Sequence, residues 1–218
     1  MDLTTSFEDA IPAAIRGPYD FAEVRNAAAI LNATNPDAFA EVVGVLGGFR
    51  LQKLDITEPG GRKSRAAIRI DEMFRVLGWR EAQQDLRIIS RQTLQPYRPA
   101  GEKKPTVIET EVLNFGYKVD NAKGRFVLDV EWNAKDGNLD RDLGIYRALY
   151  DAGVIDGAMI VTRVFAGIRD LAIKLGRPGA FNSTTTTTMD KLTPRMYRGS
   201  AGGCPVLAVA ITERCYAP

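Results

Sequence analysis

The sequence predicts an α/β (α+β) fold in which one central mixed β-sheet is flanked by helices. Apolar residues recur at helical spacing through much of the first 80 residues, and short apolar runs alternate with helical segments after residue 106. Strands separated by helices form sheets that are covered on both sides. With 218 residues, 45% hydrophobic content and no evident linker, we expect a single domain over 1–218. Its two parts are a mostly helical part, 1–80, and a sheet-containing part, 106–211.

The first part contains three predicted helices. They are Phe21–Ala33 after an Asp20 N-cap, a helix from Pro36 to Gly47-Gly48 after an Asn35 N-cap, and Ser64–Leu77 after a break at Gly60-Gly61. Proline at the first helical position and serine at the N-cap are typical helix starts. Gly78 is predicted to close the third helix.

In the remaining chain, the spacing of apolar residues alternates between that of strands and that of helices. The predicted strands are Leu86–Ser90, Thr106–Val119, Arg125–Trp132, Ala158–Thr162 and Pro205–Ile211. The predicted helices are Asp140–Tyr150, Gly167–Leu175 and Met189–Arg198. The proline-rich segment Gln95–Pro105 is predicted to be a loop. The first of these helices has an apolar stripe at Leu143, Tyr146, Leu149 and Tyr150, which predicts core packing for most of it.

Two carboxylates, Asp129 and Glu131, lie two residues apart inside an apolar run, so they should share one face of a strand. Asp120 precedes the turn-like tetrapeptide 121–124 and is predicted to end the preceding strand. A hairpin there would fold Asp120 back beside the other two. Three converging carboxylates repel one another unless a cation binds, and hard oxygen ligands suit Mg²⁺. The pattern indicates a metal-dependent phosphodiester-cleaving site, and an ordinary solvated strand face is the alternative interpretation.

The chain contains no histidine, which excludes catalytic triads and dyads that use histidine. Its two cysteines, Cys204 and Cys215, flank a predicted strand and are too few for a structural zinc site. Because an extended strand would hold these two cysteines far apart, we expect free thiols in a reducing cytosol. No run of 18 apolar residues predicts a membrane span, and the amino terminus lacks the pattern of a signal peptide.

Basic residues cluster twice, although the formal net charge is only +2. The first cluster comprises Arg62, Lys63, Arg65, Arg69, Arg75, Arg80, Arg87 and Arg91, and the second comprises Lys191, Arg195 and Arg198. The planar guanidinium fork of arginine suits phosphate and guanine. Ordinary solvated helix faces are the alternative. A threonine tract, Thr184–Thr188, precedes the second cluster and could contact phosphate at a helix N-terminus or form a disordered linker.

The acidic segment resembles the active-site hairpin of BglII-like and BstYI-like type II restriction endonucleases, within the PD-(D/E)xK nuclease fold that also contains BamHI. That family's pattern is Asp, eight residues, then Glu-Val-Gln; here it is Asp120, eight residues, then Asp129-Val130-Glu131. The segments 197–211 and 78–81 are also similar. The resemblance covers roughly residues 60–215, and the two changed acidic positions depart from the family pattern.

The resemblance implies a restriction-endonuclease-like fold with one or two Mg²⁺ ions per site. It implies that Asp120, Asp129 and the carbonyl of Val130 bind the ion. Glu131 would position or deprotonate the attacking water. The family pattern has glutamine at this position, whereas BamHI has glutamate there, as this chain does.

The resemblance also implies double-stranded DNA as substrate, cut at a short palindrome that could have a GATC core. We expect the DNA-binding residues to be Asn133, Lys135, Asn138, Thr186, Thr187, Thr188, Lys191 and Arg195. A homodimer would match the symmetry of a palindrome. A cognate DNA methyltransferase would be a functional partner, and the bacterial cytoplasm would be the location.

Three alternatives stay open from the sequence. A nuclease of the same fold could recognise DNA structure rather than sequence, as repair enzymes do. A DNA-binding module could have lost catalysis through the changes at Asp129 and Glu131. A protein with no nucleic-acid role could use its acids in ion pairs with nearby arginines.

Overall fold

The structure is a computed structural model that describes residues 2–58 and 63–218, and its centre is a seven-stranded mixed sheet. The strands are β1 (Leu3–Thr4), β2 (Tyr19–Val24), β3 (Arg80–Leu94), β4 (Thr106–Lys123), β5 (Phe126–Val130), β6 (Gly157–Arg163) and β7 (Val206–Ile211). Their order across the sheet is β1-β2-β7-β6-β5-β4-β3. β5, β6 and β7 run parallel to one another, whereas β4 pairs antiparallel with β5 and β2 pairs antiparallel with β7. The predicted α+β class with a mixed sheet is therefore confirmed.

Helices cover both faces of this sheet. They are α1 (Phe7–Ala10), α2 (Ala13–Arg16), α3 (Ala27–Thr34), α4 (Pro36–Gly48), α5 (Lys53–Thr57), α6 (Arg65–Val76), α7 (Gly137–Asp151), α8 (Ala166–Lys174) and α9 (Met189–Tyr197). Phe126, Leu128 and Val130 of β5 join the main apolar core together with residues of α3 to α6 and α8. The opposite face of β5 meets α7, where Asp129 contacts Tyr146. In the described part of the chain, none of the helices combines the length and apolar character needed to cross a bilayer.

The chain divides into two compact units. The larger comprises residues 1–82 and 119–218, and it holds the apolar core and all the predicted site residues. The single domain expected from the sequence, 1–218, includes both units. The smaller comprises residues 83–118.

The smaller unit is an exposed β-hairpin made from most of β3 and β4. Two ion pairs join its strands, Arg87 Nη2 to Glu111 Oε2 at 2.8 Å and Arg91 Nε to Glu109 Oε1 at 3.5 Å. A one-turn 3-10 helix, Arg98–Ala100, lies in the connection that was predicted to be a loop. Large apolar side chains of this hairpin are exposed, among them Phe115 at 69%.

The first predicted helix is wrong in its first half. Residues Tyr19–Val24 form β2, which pairs antiparallel with β7 from Tyr19 opposite Ile211 to Val24 opposite Val206. Helix α3 begins only at Ala27, after Arg25 and Asn26 adopt positive φ angles. Backbone pairing with a buried strand overrode the helical spacing, as often happens to short amphipathic segments.

Several other predictions are confirmed. Pro36 begins α4, and the hydroxyl of Ser64 caps α6 by accepting a hydrogen bond from the N–H of Ala67 at 3.3 Å. Gly78 follows α6 with φ of +91°. Both cysteines are free thiols. The predicted break at Gly60-Gly61, like Arg62, lies outside the described residues.

Candidate active site

The predicted acidic hairpin is formed by β4 and β5. The turn-like tetrapeptide predicted that Asp120 would end the strand, but β4 continues through Asn121 and Ala122 to Lys123. Asp120 therefore lies inside the strand. The turn is tighter, with Gly124 at φ of +59°. Asn121 pairs with Leu128, which places Asp120 next to Asp129. The N–H of Asp120 donates to Oδ1 of Asp129 at 2.7 Å, so the two acids are neighbours, as expected.

Asp129 is enclosed by protein. Its side chain has two donors, because Oδ2 also accepts a hydrogen bond from the hydroxyl of Tyr146 on α7 at 2.5 Å. The residue is only 4% exposed. Burial, with a smaller contribution from the negative charge of Asp142, raises the pKa of Asp129 to about 7. A carboxyl with this pKa is only partly ionised at neutral pH, and a nearby positive charge would favour the ionised form.

Glu131 follows on the same face and also contacts α7, as expected for residues at i and i+2. Its Oε1 accepts a long hydrogen bond from Nδ2 of Asn138 at 3.4 Å. Its carbonyl oxygen accepts hydrogen bonds from the hydroxyls of Thr162 and Thr187, both at 2.9 Å. These bonds fix the backbone of Glu131 where β5 ends.

A fourth carboxylate, Asp142, joins the cluster from α7, and reasoning from the sequence missed it. Asp142 is 1% exposed, and its Oδ1 accepts two hydrogen bonds from Arg141, from Nε at 2.9 Å and from Nη2 at 2.8 Å. Nη2 of Arg141 also lies 3.7 Å from Oε1 of Glu131. The sequence carried a signal for this residue, since Asn138, Asp142 and Tyr146 recur every four residues and so share one helix face.

Lys63 is a second residue that the sequence did not assign to the site. Its Nζ forms a salt bridge with Asp71 of α6 and lies 3.5 Å from Oδ2 of Asp120. Asp71 in turn accepts a hydrogen bond from Nδ2 of Asn121 at 2.9 Å. The two carboxylates hold the pKa of Lys63 above its usual value, although burial acts in the opposite direction. Lys63 thus supplies positive charge at the open side of Asp120.

The donor set suits a divalent cation by its chemistry. Burial raises the pKa of both Glu131 and Asp142 above its usual value, and neighbouring acids add to the rise at Glu131 while Arg141 opposes it at Asp142. Oε2 of Glu131 and Oδ2 of Asp142 are buried and accept no hydrogen bond from any described residue. Across residues 2–58 and 63–218, no three acidic or thiol side chains are already gathered around one point as metal ligands. By their type, charge and burial, the carboxyl groups of the cluster nevertheless fit a hard cation. Asp129 keeps both of its hydrogen bonds in this arrangement.

The predicted DNA-binding residues after β5 differ in exposure. Asn133 and Lys135 are exposed, and Asn138 is half-buried against Glu131. Asn133 lines a cleft of about 420 Å³ beside the site, together with Lys63, Arg65, Arg69 and Trp132, among others. Arg163 of β6, a buried residue that the sequence did not single out, donates to the carbonyl oxygen of Trp132 at 2.9 Å and to Oδ1 of Asn133 at 3.3 Å.

The threonine tract is ordered by contacts with this loop. Thr186 forms a β-bridge with Lys135, and its hydroxyl accepts a hydrogen bond from Arg163 at 3.0 Å. Thr187 and Thr188 are 0% and 2% exposed, and the phosphate contact expected from their hydroxyls stays a prediction. Thr187 instead supports Glu131. The contacts of Thr186 with Arg163 and of Thr187 with Glu131 argue against the disordered-linker interpretation.

The two basic residues of α9 already have acidic partners. Nζ of Lys191 lies 3.1 Å from Oδ2 of Asp136, and Nε of Arg195 lies 2.8 Å from Oδ1 of Asp140. Both pairs connect α9 to the loop and helix that follow β5. Their positive charge is therefore partly balanced within the protein.

Comparison with known proteins gives one family match. The model of a family described as restriction endonuclease BglII/BglIII matches residues 19–211 of the chain. A search of curated proteins found no match. The matched range includes every strand from β2 to β7 and the whole acidic cluster.

Proposed function

This chain belongs to the BglII/BglIII restriction endonuclease family and is a type II site-specific deoxyribonuclease, and we propose that its carboxylate cluster is the catalytic site of Mg²⁺-dependent cleavage. The observation that carries this proposal is the burial of Asp129 and Glu131 beside Asp120 at the end of a central strand. Burying several acids costs free energy unless they are paired, protonated or bound to a metal.

In this proposal, Asp120, Asp129 and the carbonyl of Val130 hold the ion. Bound there, Mg²⁺ would stabilise the negative charge that develops on the phosphate and the leaving 3′-oxygen. Tyr146 and the N–H of Asp120 orient the carboxylate of Asp129. Lys63, at the open side of Asp120, adds positive charge where a DNA phosphate would approach.

Glu131 is the proposed general base. Its Oε2 accepts no hydrogen bond from the described part of the chain, which leaves that atom able to take a proton from an attacking water. The raised pKa of its carboxyl is closer to neutral pH than that of an ordinary glutamate. A base works best when its pKa is near the working pH.

The proposed DNA-binding surface lies around the loop that follows β5. Asn133, Lys135 and Thr186 are the residues proposed to face DNA, and Asn138 links this loop to Glu131. Lys191 and Arg195 stay in the proposal as residues that DNA phosphates could draw from their acidic partners. Thr187 and Thr188 stay in the proposal as well, but they are buried, so contact with phosphate would require the tract to shift.

The finer biological proposals follow from the family. We propose a palindromic site, with a GATC core as a more specific hypothesis, cut by a homodimer whose two copies each act on one half-site. Core packing accounts for Tyr146 and Leu149 of α7, which are fully buried, so they are not exposed for a dimer interface. A cognate methyltransferase would protect the host's DNA in the bacterial cytoplasm.

The decisive experiment is digestion of unmethylated phage-sized DNA with purified protein and Mg²⁺, followed by sequencing of the fragment ends. Asp120→Ala is the test variant. Asp151→Ala is the matched control, because Asp151 is an exposed acid of α7 whose ion pair with Arg147 contributes little. We expect discrete fragments from the wild type and the control, and a rate at least 10³-fold lower from Asp120→Ala, on the order of 4 kcal/mol of barrier.

Each other result speaks against part of the proposal. If Asp120→Ala produced discrete fragments at the wild-type rate, the carboxylate cluster would not be the catalytic site. Random degradation that Asp120→Ala abolishes would indicate a nuclease that does not read sequence. DNA binding in Ca²⁺ without cleavage in Mg²⁺, on methylated and unmethylated DNA alike, would favour a binding module.

A further inference from the structure

Arg163, the last residue of β6, is a buried cation that the chemistry proposed for the carboxylate cluster does not use. Its side chain is 0% exposed, and among residues 2–58 and 63–218 no acid forms a salt bridge with it. Burial lowers the pKa of Arg163 to about 10, so the guanidinium is still charged at neutral pH. A buried charge without a counter-charge costs free energy unless hydrogen bonds replace those that it made to water.

Four hydrogen bonds hold the guanidinium between the loop that follows β5 and the threonine tract. Nε donates to the carbonyl oxygen of Trp132 at 2.9 Å, and Nη1 donates to that of Val164 at 3.4 Å. Nη2 donates to Oδ1 of Asn133 at 3.3 Å and to the hydroxyl oxygen of Thr186 at 3.0 Å. Arg163 thus joins the two segments that carry the residues proposed to face DNA.

The sheet and one aromatic ring restrict the position of this guanidinium. Strands β5 and β6 are parallel with Val130 opposite Val161, so Arg163 comes level with Trp132 just beyond the end of β5. The ring centroid of Phe181 lies 4.9 Å from the guanidinium carbon, within the range of a cation–π contact. The donors of Arg163 are therefore held in one orientation.

The bond to Arg163 also fixes the orientation of the side-chain amide of Asn133. A guanidinium has only donors, so the atom that faces it must be the amide oxygen and not the amide nitrogen. Nδ2 of Asn133 donates to no residue in the described part of the chain, and Asn133 is exposed at the cleft beside the cluster. The hydroxyl of Thr186, by contrast, donates its proton to the carbonyl oxygen of Ser183 at 3.3 Å. Asn133 therefore presents two N–H donors that need an acceptor.

We propose that Arg163 is a positioning residue for DNA recognition, because it holds the amide of Asn133 with both N–H groups available to an acceptor on the DNA. This inference rests on the proposed function. The acceptor is a base edge, such as O6 or N7 of guanine or O4 of thymine, or a phosphate oxygen. The paired contact of asparagine with adenine is disfavoured, since it needs Oδ1 as a second acceptor and Arg163 already occupies that oxygen.

The test measures binding of the full chain to a pool of DNA duplexes with a random centre, in Ca²⁺, and sequences the duplexes that are retained. Wild type is compared with Arg163→Lys, with Asn133→Ala and with the double variant. Arg169→Lys is the control, because it makes the same change at an exposed arginine of α8.

We expect Arg163→Lys and Asn133→Ala each to bind roughly 5- to 10-fold more weakly, the effect of about one lost hydrogen bond. Lysine keeps the charge but lacks the planar fork that reaches both segments. The double variant should bind no more weakly than Asn133→Ala, because Arg163 acts through Asn133. The control should bind like the wild type.

Asn133→Asp separates holding the loop from reading the DNA. Its carboxylate still accepts from Arg163, so we expect a thermal midpoint at or above that of the wild type. It offers no donor, so it should bind DNA at least as weakly as Asn133→Ala. The retained sequences identify the acceptor: relaxed selection at one position in Asn133→Ala indicates a base edge, and an even loss over all sequences indicates a phosphate.

Other results overturn the inference. Additive losses in the double variant would mean that Arg163 does not act through Asn133, and wild-type binding by Asn133→Asp would mean that the amide donors are not used. If Arg163→Lys does not fold, the inference stands only if Asn133→Asp is more stable than Asn133→Ala and binds DNA no better. A wild type that cleaves at discrete sites while these variants bind as it does would overturn this inference alone. A wild type that retains no duplex would refute the proposed function as well.

Discussion

At the scale of single residues, the distinctive chemistry of this protein is a carboxyl group, Asp129, that burial makes reluctant to ionise. Its two hydrogen bonds, from the N–H of Asp120 and the hydroxyl of Tyr146, favour the charged form, but burial outweighs them. The result is a pKa of about 7, against an ordinary value of 3.8. Between about pH 4 and 7, metal-free folded protein therefore tends to keep a proton there that an unfolded chain would lose.

This pKa predicts the pH dependence of stability. Between pH 3.8 and about 7 the folded protein binds more protons than the unfolded chain, so the free energy of unfolding falls as pH rises. The shift corresponds to a loss on the order of 4 kcal/mol across this range. Chemical unfolding in EDTA from pH 4 to 8 measures the decline, and Asp129→Asn should make it shallower by about that amount, while Glu131 and Asp142, whose pKa is also raised, contribute the rest. An equally steep decline in that variant would assign the effect to another group.

Sequence alone predicted the residues whose relation is local. Asp129 and Glu131 share a face because strand side chains alternate, and Asp120 lies beside them because a short hairpin connects them. Lys63 could not be assigned, because its contact with Asp120 spans 57 positions and depends on how α6 meets the sheet. Asp142 was visible as a helical repeat, but only the structure shows which helix face meets β5.

At the scale of elements, one glycine of helix α7 has room for a side chain, and one glycine of strand β6 does not. Gly144 is an exposed position inside α7 with no atom within 4 Å of where a Cβ would lie. Gly157 begins β6, where a Cβ would lie 3.1 Å from both Cδ2 of Leu31 and the carbonyl oxygen of Pro205. The close approach of α3 and the chain before β7 therefore depends on a residue without a side chain.

Alanine at these two positions should act in opposite directions. We expect Gly144→Ala to raise the free energy of unfolding by about 0.5–1 kcal/mol, because alanine favours the helix. We expect Gly157→Ala to lower it by about 1–3 kcal/mol, because the backbone at Pro205 must move. Denaturant titration of both variants at one pH gives the comparison, and similar changes in both would contradict the packing described for β6.

Element boundaries show where sequence patterns are weak. The apolar spacing from Phe21 to Val24 fits a helix and a strand alike, and pairing with β7 decides it. The predicted strand Leu86–Ser90 is a fragment of the 15-residue β3, whose polar outer positions hid its length. By contrast, the start of α4 was predictable because Pro36 fixes the backbone there.

At the scale of the whole molecule, the chain divides into a unit that holds the main apolar core cluster and a hairpin unit, 83–118. None of the buried residues of the main core cluster comes from 83–118. A two-stranded hairpin gains little stability by itself. The larger unit should therefore hold nearly all of the free energy of folding.

Replacing residues 84–117 with a four-residue turn tests this division. We expect a folded protein whose thermal midpoint changes by less than about 5 °C, a shift that corresponds to about 1.3–2.5 kcal/mol in a domain of this size. Calorimetry of the variant beside the full chain measures the midpoint and the unfolding enthalpy. Loss of a cooperative transition would mean that the hairpin is needed for the larger unit to fold.

The absence of histidine makes the buried acids directly observable by titration. Burial raises the pKa of Cys204 to about 12 and that of Cys215 to about 11, so neither thiol titrates near neutrality. Between roughly pH 6 and 8 the usual background signal, imidazole, is missing, and the terminal amine is the ordinary group that remains. Protons released into a weakly buffered solution when a cation binds therefore come mainly from the acidic cluster. The number of protons released on cation binding can therefore be measured on the unlabelled protein.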